Sequence, residues 1–343
     1  MRWLAAEPGP AYSVLDVHNG WVEALRELGE QVIEYPLGSM LTFYDHALLE
    51  AGPGRFRKAL TGEQATELAT DRLCGALWKT RPDALLITSG FFVDGQVLDR
   101  ARRDGVKVVV LGTESPYEDE RQLKLAEHAD VFLVDDPTNL GRFQAVTTAV
   151  YTPKAFRPSV HQPGPPDPML ACDLSFIGTG YPSRIELLEA MDLEGVDVLL
   201  AGNWQRLDDD SPLRRFVPGD VEECLDNATA AAVYRSTRVG LNLYRREAER
   251  PELAAGWSMG PRELEMAATG CFFLRDPRGE GDEVLHMLPR FTSPEEASAL
   301  LRWYLDHPDQ RAELAAQALA AVQGRTFDQS AATLLRLLDS FSA

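Results

Sequence analysis

One stretch of the sequence, MGPRELEMAATGCFFLRD, places three charged side chains where a core-facing helix would carry apolar ones. Pro261 suits the first position of a helix and Gly270 suits its C-terminal cap. Residues three positions apart share a helix face, so Arg262 and Glu265 are expected side by side, with Glu263 on another face. A buried carboxylate there needs strong partners, and a ligand diol would be one. The competing interpretation is an ordinary exposed ion pair, worth about 0.3–0.5 kcal/mol.

A glycine-containing turn between a strand and a helix is a second candidate binding feature. In DLSFIGTGYPSR, Gly178 and Gly180 permit a tight backbone and the close approach of a ligand. The following helix offers free N–H groups and a partial positive charge, which suit a phosphate, and Arg184 is placed to reach an anion. The spacing G-x-G-x-x-S is an incomplete dinucleotide fingerprint, and a plain strand–helix turn explains it equally well.

Polar and aromatic residues also follow two other candidate strands. Asn203 and Trp204 end the stretch LLAGNW, and Asn242, Tyr244 and Arg245 lie near the end of YRSTRVGLNLYRRE. The carboxyl ends of parallel strands line the usual ligand crevice, so these side chains are candidates to contact a ligand. Trp204 would stack on a base or a sugar; alternatively, it covers the core. A buried Asn242 needs hydrogen-bond partners, from a ligand or from a neighbouring loop.

No metal site is predicted. The six histidines lie far apart without an HExxH spacing, and the acidic run at residues 208–210 is interpreted as a solvated loop. A G-x-S-x-G elbow is absent, which counts against an α/β-hydrolase. The four cysteines form no CxxC pair and are expected to be reduced and mostly buried; they are Cys74, Cys172, Cys224 and Cys271.

The net charge limits the classes of partner. The 343 residues carry a formal charge of -19 at pH 7, which repels phosphate backbones and anionic membrane surfaces. Bulk nucleic acid is therefore disfavoured as a partner. The N-terminal MRWLAAEPG is interrupted too early for a signal peptide, and no apolar run reaches the roughly 20 residues that span a bilayer. A cytoplasmic location is expected.

Short apolar runs alternate with amphipathic stretches along the first half. The predicted strands are Trp3–Ala5, Val32–Tyr35, Ala84–Thr88, Val106–Leu111 and Val131–Val134. The predicted helices are Gly20–Leu28, Glu63–Lys79, Gln96–Arg103 and Glu118–His128. This alternation favours βαβ units and a parallel sheet with both faces covered.

A proline-rich stretch separates this half from the next. The segment from Tyr151 to Pro168 contains six prolines and predicts a stiff, extended linker. Alternation then resumes, with predicted strands at Asp173–Ile177, Val198–Ala201, Val239–Leu243 and Phe272–Leu274, and predicted helices at Ser183–Met191, Pro261–Thr269 and Glu295–Asp306. Two Rossmann-like α/β domains are expected, residues 1–160 and 161–326, with a ligand site in the cleft between them. A helical tail, about 327–343, is expected to cross back onto the first domain.

The second half resembles the C-terminal domain of CgeB-like, spore-coat-type glycosyltransferases, relatives of the group-1 glycosyltransferases. The matching pieces, in family order over roughly residues 173–338, are DLSFIGTGYPSRIELLEAM, VGLNLYRR, SMGPRELEMAATGCFFLRD, FTSPEEASALLRWYLDHPDQRAELA and RTFDQSAATLLRLL. In the first half, TESPYEDE and YTPKAFRPSVHQP resemble the segments that precede the linker in such proteins. The resemblance implies the GT-B fold, in which two Rossmann-like domains face each other across a cleft.

The resemblance also implies transfer of a sugar from a UDP-, GDP- or dTDP-sugar that is held mainly by the second domain. Glu265 matches the glutamate that holds the ribose hydroxyls, and Arg262 would neutralise or orient the donor phosphates. Gly178, Thr179 and Arg184 match the phosphate-side turn. The remaining residues of the implied donor site come from the loops at the strand ends and before the helix: Gly180, Asn203, Trp204, Asn242, Tyr244, Arg245, Met259 and Gly260.

Catalysis in the family implies further roles. Many group-1 enzymes carry a second glutamate where this sequence has Trp257 and Ser258, so the motif does not identify the residue that handles the transferred sugar. GT-B enzymes stabilise the leaving diphosphate with helix dipoles and Arg or Lys, so no metal cofactor is expected. An inverting enzyme needs a general base from the first domain, for which Glu114 and His18 are the candidates and Glu7 is a third.

Two other functions account for part of the sequence. The glycine turn favours an NAD(P)-dependent oxidoreductase, with Asp197 about 20 residues after the glycines, although Ser183 replaces the third glycine. A non-catalytic two-lobed nucleotide- or sugar-binding protein would use the same cleft. For a transferase, the acceptor is left open among a protein, a metabolite, a glycan and a modified DNA base.

Overall fold

The computed structural model describes residues 1–9, 12–46, 48–51, 56–222, 224–248 and 255–341. Internal contacts divide the chain into two units, the first comprising Met1–Pro153 and Ser330–Ala343 and the second comprising Lys154–Gln329. Each unit contains its own parallel sheet together with helices, which confirms the predicted α/β fold class. Among the residues described, no helix is both long and apolar enough to cross a membrane.

The first unit is built on six parallel strands. They are β1 (Arg2–Ala6), β2 (Gln31–Tyr35), β5 (Ala84–Thr88), β6 (Lys107–Leu111), β7 (Val131–Val134) and β8 (Thr148–Tyr151). Their order in the sheet is β2-β1-β5-β6-β7-β8. All residues of β5 are buried, as expected for a parallel strand covered on both faces. A separate antiparallel pair consists of β3 (Leu48–Ala51) and β4 (Phe56–Ala59).

Six α-helices lie in the described part of the N-terminal segment of the first unit, Met1–Pro153. They are α1 (Tyr12–Glu27), α2 (Leu37–Asp45), α3 (Gly62–Thr80), α4 (Gly95–Arg103), α5 (Asp119–Ala126) and α6 (Leu140–Gln144). The sequence predicted α1 only from Gly20 onward. The first turns were missed because the buried His18 is polar and interrupts the apolar pattern by which an amphipathic helix is recognised. Tyr151, predicted as the first linker residue, instead ends β8.

The second unit contains four parallel strands. They are β9 (Cys172–Ile177), β10 (Val198–Ala201), β11 (Thr237–Asn242) and β12 (Phe273–Arg275), in the sheet order β10-β9-β11-β12. Its helices are α7 (Pro182–Ala190), α8 (Asn227–Ser236), α9 (Pro261–Thr269), α10 (Gly279–Val284), α11 (Pro294–Leu305) and α12 (Pro308–Val322). Helix α13 (Phe327–Ser340) begins at the end of this unit, and most of its residues are grouped with the first. Because the strands are parallel, the loops that follow them gather at one edge of the sheet.

The segments through which the chain enters and leaves the second unit pair with each other. Phe156 and Thr326 form an isolated parallel bridge. The main-chain N–H of Phe156 donates to Arg325 O at 3.0 Å, and the N–H of Phe327 donates to Phe156 O at 3.3 Å. Helix α13 continues from this bridge into the residues grouped with the first unit.

Two loops of the second unit touch through glycine main chain. Gly202, after β10, has φ +115°, and a Cβ added to it would lie 2.5 Å from the carbonyl oxygen of Gly178, after β9. Only glycine allows both the positive φ and this close approach. The glycine-rich turn thus has a packing role between adjacent strands.

We expect Gly202→Ala to lower the free energy of unfolding by about 3 kcal/mol, because the new methyl group forces the two loops apart in addition to straining φ. Gly195→Ala is the matched control, since Gly195 also has a positive φ but faces open space; its loss should be about 1 kcal/mol. Urea unfolding of both variants measures the difference. Equal losses of unfolding free energy in the two variants would contradict this account, because the added methyl group would then meet no steric resistance from the Gly178 loop.

Candidate functional site

The charged residues of α9 separate as helix geometry predicts. Arg262 and Glu265 form an ion pair one turn apart, while Glu263 joins a different group of side chains. The Glu265 side chain is only 6% exposed, so the pair is not the ordinary exposed one of the competing interpretation. Arg262 also reaches Asn227 of α8, with 3.4 Å between Nη1 and Oδ1. Glu265 thus receives a charge-assisted hydrogen bond from Arg262 and keeps capacity to accept further hydrogen bonds.

Glu265 has a second neighbour that the sequence analysis did not identify. A ring nitrogen of the buried His161 lies within 4.8 Å of a Glu265 carboxylate oxygen. The Nδ1 atom of His161 accepts the main-chain N–H of Arg157 at 3.3 Å. His161 sits in the proline-rich segment, where extended backbone gave no sign that it would fold against α9.

Glu263 forms a buried group with Tyr244 and Gly260. Its carboxylate accepts the Tyr244 hydroxyl and, at 3.0 Å, the main-chain N–H of Gly260. Burial raises the pKa of Glu263 to about 7, against the opposing effects of these hydrogen bonds and of Arg275 and Arg278. Tyr244 and Gly260 were both predicted to contact the nucleotide-sugar. In the structure they form hydrogen bonds with Glu263 and thereby stabilise the start of α9.

The loop before α9 is fixed by residues that follow β12. Met259 donates its N–H to Glu280 Oε2 at 2.8 Å, and Arg278 Nε donates to Ser258 O at 3.0 Å. Met259, a predicted donor-site residue, has no exposed surface. Glu280 was not predicted, because its contacts are far apart in sequence.

Trp204 packs in the core. It is fully buried, lies edge-on against Phe176, and its ring fills the space beside Gly180. The indole therefore offers no face to a base, and the interpretation as a residue that covers the core is confirmed. Asn203 stabilises a turn, since its Oδ1 accepts Gln205 N–H at 3.1 Å.

Arg184 links two loops at the edge of the sheet. Its guanidinium donates to Thr179 O at 3.0 Å and to Leu243 O at 2.6 Å. The start of α7, which the sequence assigned to a phosphate, is occupied by a carboxylate: Glu247 accepts Ser183 N–H at 3.1 Å and the Ser183 hydroxyl at 3.3 Å.

Three guanidinium groups, one from α7 and two from different loops, lie near the ring of Tyr181. Their Cζ atoms lie 5.2 Å (Arg184), 5.4 Å (Arg206) and 5.9 Å (Arg245) from the ring centroid. Cations gathered at this edge in an acidic chain create a local positive field. The arrangement suits a multiply charged anion. Arg206 was not predicted, because it follows Trp204 in an irregular loop.

The end of β11 presents a further polar group. One guanidinium nitrogen of Arg246, Nη2, donates to both carboxylate oxygens of Asp276, at 2.8 and 2.9 Å, and Asp276 N–H donates to Asn242 O at 3.1 Å. Burial raises the pKa of Asp276. The buried Asn242 side-chain nitrogen finds no hydrogen-bond partner among the described residues, which keeps it a candidate ligand contact.

The predicted catalytic residues of the first unit lie in different environments. His18 has no exposed surface; its Nδ1 is 3.2 Å from Thr88 Oγ1, and burial lowers its pKa. It therefore cannot reach a substrate in this conformation, which corrects its assignment as a base. Glu114 is partly exposed after β6. Glu7 is partly exposed, accepts Gly38 N–H at 3.3 Å, and has a pKa raised by burial.

The ends of β6 and β7 carry a polar cluster that the sequence analysis did not predict. Ser115 donates its hydroxyl to Asp119 at 2.6 Å and its N–H to Asp135 at 3.1 Å, and the Asn139 side chain donates to Asp119 at 2.6 Å. Burial raises the pKa of Asp119. These bonds hold the loop that carries Glu114.

The sequence and fold were compared with known proteins. Residues 184–336 match a family model described as glycosyl transferase-like. The curated proteins contain no match to this chain. Because the family model covers less than half of the 343 residues, it supports a glycosyltransferase for the second unit without defining the whole chain.

Solved structures resemble the chain along nearly its whole length. Sucrose-phosphate synthase from Thermosynechococcus elongatus is 14% identical, with 99% of each chain covered and a TM-score of 0.64. A trehalose-6-phosphate protein from E. coli bound with UDP-2-fluoro glucose is 12% identical, covering 98% of this chain and 99% of that one, at 0.61. A candidate UDP-N-acetylglucosamine 2-epimerase from Listeria monocytogenes is 15% identical, covering 99% and 96%, at 0.62. At these identities the likeness establishes the fold, and the predicted GT-B fold is confirmed.

Glu263 predicts a pH dependence of stability. Burial raises its pKa from 4.5 to about 7, so its contribution to folding is complete below pH 4.5 and is lost as the pH rises through about 7. Between about pH 5 and pH 8, the wild type should lose on the order of 3 kcal/mol relative to Glu263→Gln, which carries no titrating group. Urea unfolding at a series of pH values measures this difference. A difference that does not change with pH would contradict the account.

Proposed function

We propose that this chain is a glycosyltransferase that transfers a sugar from a nucleotide-sugar donor bound by the second unit. The observation that carries the proposal is the buried, ion-paired carboxylate of Glu265 near the start of α9. The family match over residues 184–336 and the GT-B fold support the same reading. The bound UDP-2-fluoro glucose of one structural neighbour illustrates that this fold accepts such a donor.

Glu265 is proposed to hold the ribose hydroxyls. Arg262 contacts one oxygen of this carboxylate, and the two oxygens together have enough lone pairs to accept hydrogen bonds from two ribose hydroxyl groups at once. Each such bond to a charged group contributes about 1.5–3 kcal/mol. His161, within 4.8 Å of the carboxylate, adds a ring nitrogen to the same place.

The donor diphosphate is proposed to bind at the positive edge of the sheet. Arg184, Arg206 and Arg245 surround Tyr181 there, and Arg262 adds a fourth cation at α9. Fixed cations stabilise the charge that develops on a leaving diphosphate, because they require no reorganisation during the reaction. The proposal therefore assigns this role to arginine rather than to a metal ion.

The first unit is proposed to supply the general base and to bind the acceptor. Glu114 and Glu7 are the candidates that have exposed surface, whereas His18 has none. The raised pKa of Glu7 brings it nearer to the working range of a general base. The acceptor remains open among a protein, a metabolite, a glycan and a modified DNA base; the charge of -19 argues against bulk nucleic acid. A cytoplasmic site of action is part of the proposal.

A nucleotide panel tests the donor. UDP, GDP and dTDP are compared with NAD⁺, NADP⁺ and free sugars by thermal shift, followed by calorimetry for any nucleotide that stabilises the protein. Stabilisation by a nucleoside diphosphate supports a transferase. Stabilisation by NAD(P)⁺ alone indicates an oxidoreductase, and a response to free sugars or to none of these indicates a non-catalytic binding protein.

For the nucleotide that binds, Glu265→Ala should raise Kd by at least about tenfold, because the ribose loses its charged acceptor. Glu265→Gln keeps the shape and should give an intermediate loss. The control is Glu295→Ala, an exposed glutamate in the first turn of α11, which should leave Kd unchanged. Unchanged affinity in Glu265→Ala would remove the ribose assignment.

A further inference from the structure

The chain enters the second unit near Phe156 and leaves it near Arg325. A continuous set of contacts joins these two segments to the loop before α9, residues 257–260. The main-chain N–H of Phe156 donates to Arg325 O at 3.0 Å. The Arg325 side chain pairs with Glu280 of α10. The other carboxylate oxygen of Glu280 accepts Met259 N–H at 2.8 Å. Met259 stands two residues before α9, whose Glu265 is the proposed ribose contact.

Glu280 holds this loop through its main chain as well as its side chain. Its own N–H donates to Trp257 O at 2.9 Å. The Trp257 ring lies against Gly279, where an added Cβ would be 2.4 Å from the ring. Arg278 completes the support by donating Nε to Ser258 O at 3.0 Å. Arg278 and the first residues of α10 therefore hold residues 257–259 in place.

The pairing with Arg325 decides whether Glu280 can keep this role. Glu280 is only 2% exposed, and a buried carboxylate is tolerated when a counter-charge and hydrogen bonds compensate for lost hydration. Arg325 supplies the counter-charge from the segment just before α13. Without Arg325, the buried carboxylate loses its counter-charge and one of its two contacts, so it is held less firmly as the acceptor for Met259 N–H.

We propose that Glu280 and Arg325 are positioning residues of the donor site. They set the loop at residues 257–260 and thereby the first turn of α9, from which Arg262 and Glu265 project. This inference rests on the proposed function, since the donor is what that turn would bind. Both Glu280 oxygens already contact protein groups, so the pair acts on the donor through the loop.

The pair of Glu280 and Arg325 also connects the loop at residues 257–260 to the entry and exit segments near Phe156 and Arg325. Arg325 contributes its carbonyl oxygen to the bridge with Phe156 and its guanidinium to Glu280. A shift of the entry and exit segments would therefore move Arg325 and, through it, Glu280, which holds residues 257–260. The same coupling works in reverse, because a coupling free energy between two sites is reciprocal.

Amide hydrogen exchange of the nucleotide-free protein tests the positioning without reference to any ligand. In Arg325→Gln, exchange in the peptide covering residues 257–260 should rise about tenfold, because the acceptor of Met259 N–H is no longer held. Arg325→Lys keeps the charge and should remain near wild type. The matched control is Arg290→Gln, which removes a different ion pair of α10, the one of 2.9 Å to Asp282.

Calorimetry with the nucleoside diphosphate that stabilises the wild type supplies the second readout. Kd should rise about tenfold in Arg325→Gln, return to within about threefold in Arg325→Lys, and stay unchanged in Arg290→Gln. If Arg325→Gln does not fold, the double variant Glu280→Gln/Arg325→Gln, which removes both charges, takes its place with the same expected loss.

The outcomes separate this inference from the proposed function. Unchanged exchange in Arg325→Gln overturns the inference, whatever the nucleotide result. Faster exchange with unchanged Kd also overturns it, since the pair would then hold the loop without influencing the donor. If no nucleotide binds the wild type, the proposed donor site fails, and the exchange result alone decides whether the pair positions the loop.

Discussion

The start of α9 is organised by buried carboxylates, and a protein interior tolerates them only when each has partners. Glu265 is paired with Arg262, Glu263 with Tyr244 and the Gly260 N–H, and Glu280 with Arg325 and the Met259 N–H. Tyr244 lies just after β11, Glu280 lies on α10, and Arg325 lies just before α13, so these pairings bring distant parts of the second unit to the start of α9. A helix that only packed against the sheet would not need them. Their concentration at one helix end is what makes that end the candidate donor site.

The sheet explains why the other candidate groups lie at the same edge. Four parallel strands direct the loops after β9, β10 and β11 to one side. Near Tyr181 at this side lie Arg184 in the first turn of α7, Arg206 in the loop after β10, and Arg245 in the loop after β11. A carboxylate in the same region already has protein partners: Glu247 accepts hydrogen bonds from Ser183 at the start of α7. At this edge the carboxylate of Glu247 is paired within the protein, and arginines come together from separate segments of the chain. Such a distribution of charge suits a ligand that carries several negative charges.

Features set by neighbouring residues could be predicted from the sequence, whereas contacts between residues far apart in the chain could not. Helix α9 occurs at Pro261–Thr269 as predicted, because Pro at the start and Gly at the end are local signals, and the pairing of Arg262 with Glu265 follows from helix geometry. The burial of Trp204 and His18 could not be predicted, since it depends on which segments pack over them. The contacts of Glu280 and His161 join residues far apart in the chain and gave no periodic signal.

The central claim is that Glu265 recognises the ribose of a nucleotide donor. The most direct test compares the nucleoside diphosphate that binds with its 3′-deoxy analogue, in the wild type and in Glu265→Ala. If Glu265 accepts the ribose hydroxyl, loss of that hydroxyl should weaken binding to the wild type by about tenfold and have little effect on the variant. An equal loss in both proteins would mean that the ribose is held elsewhere and would contradict the account.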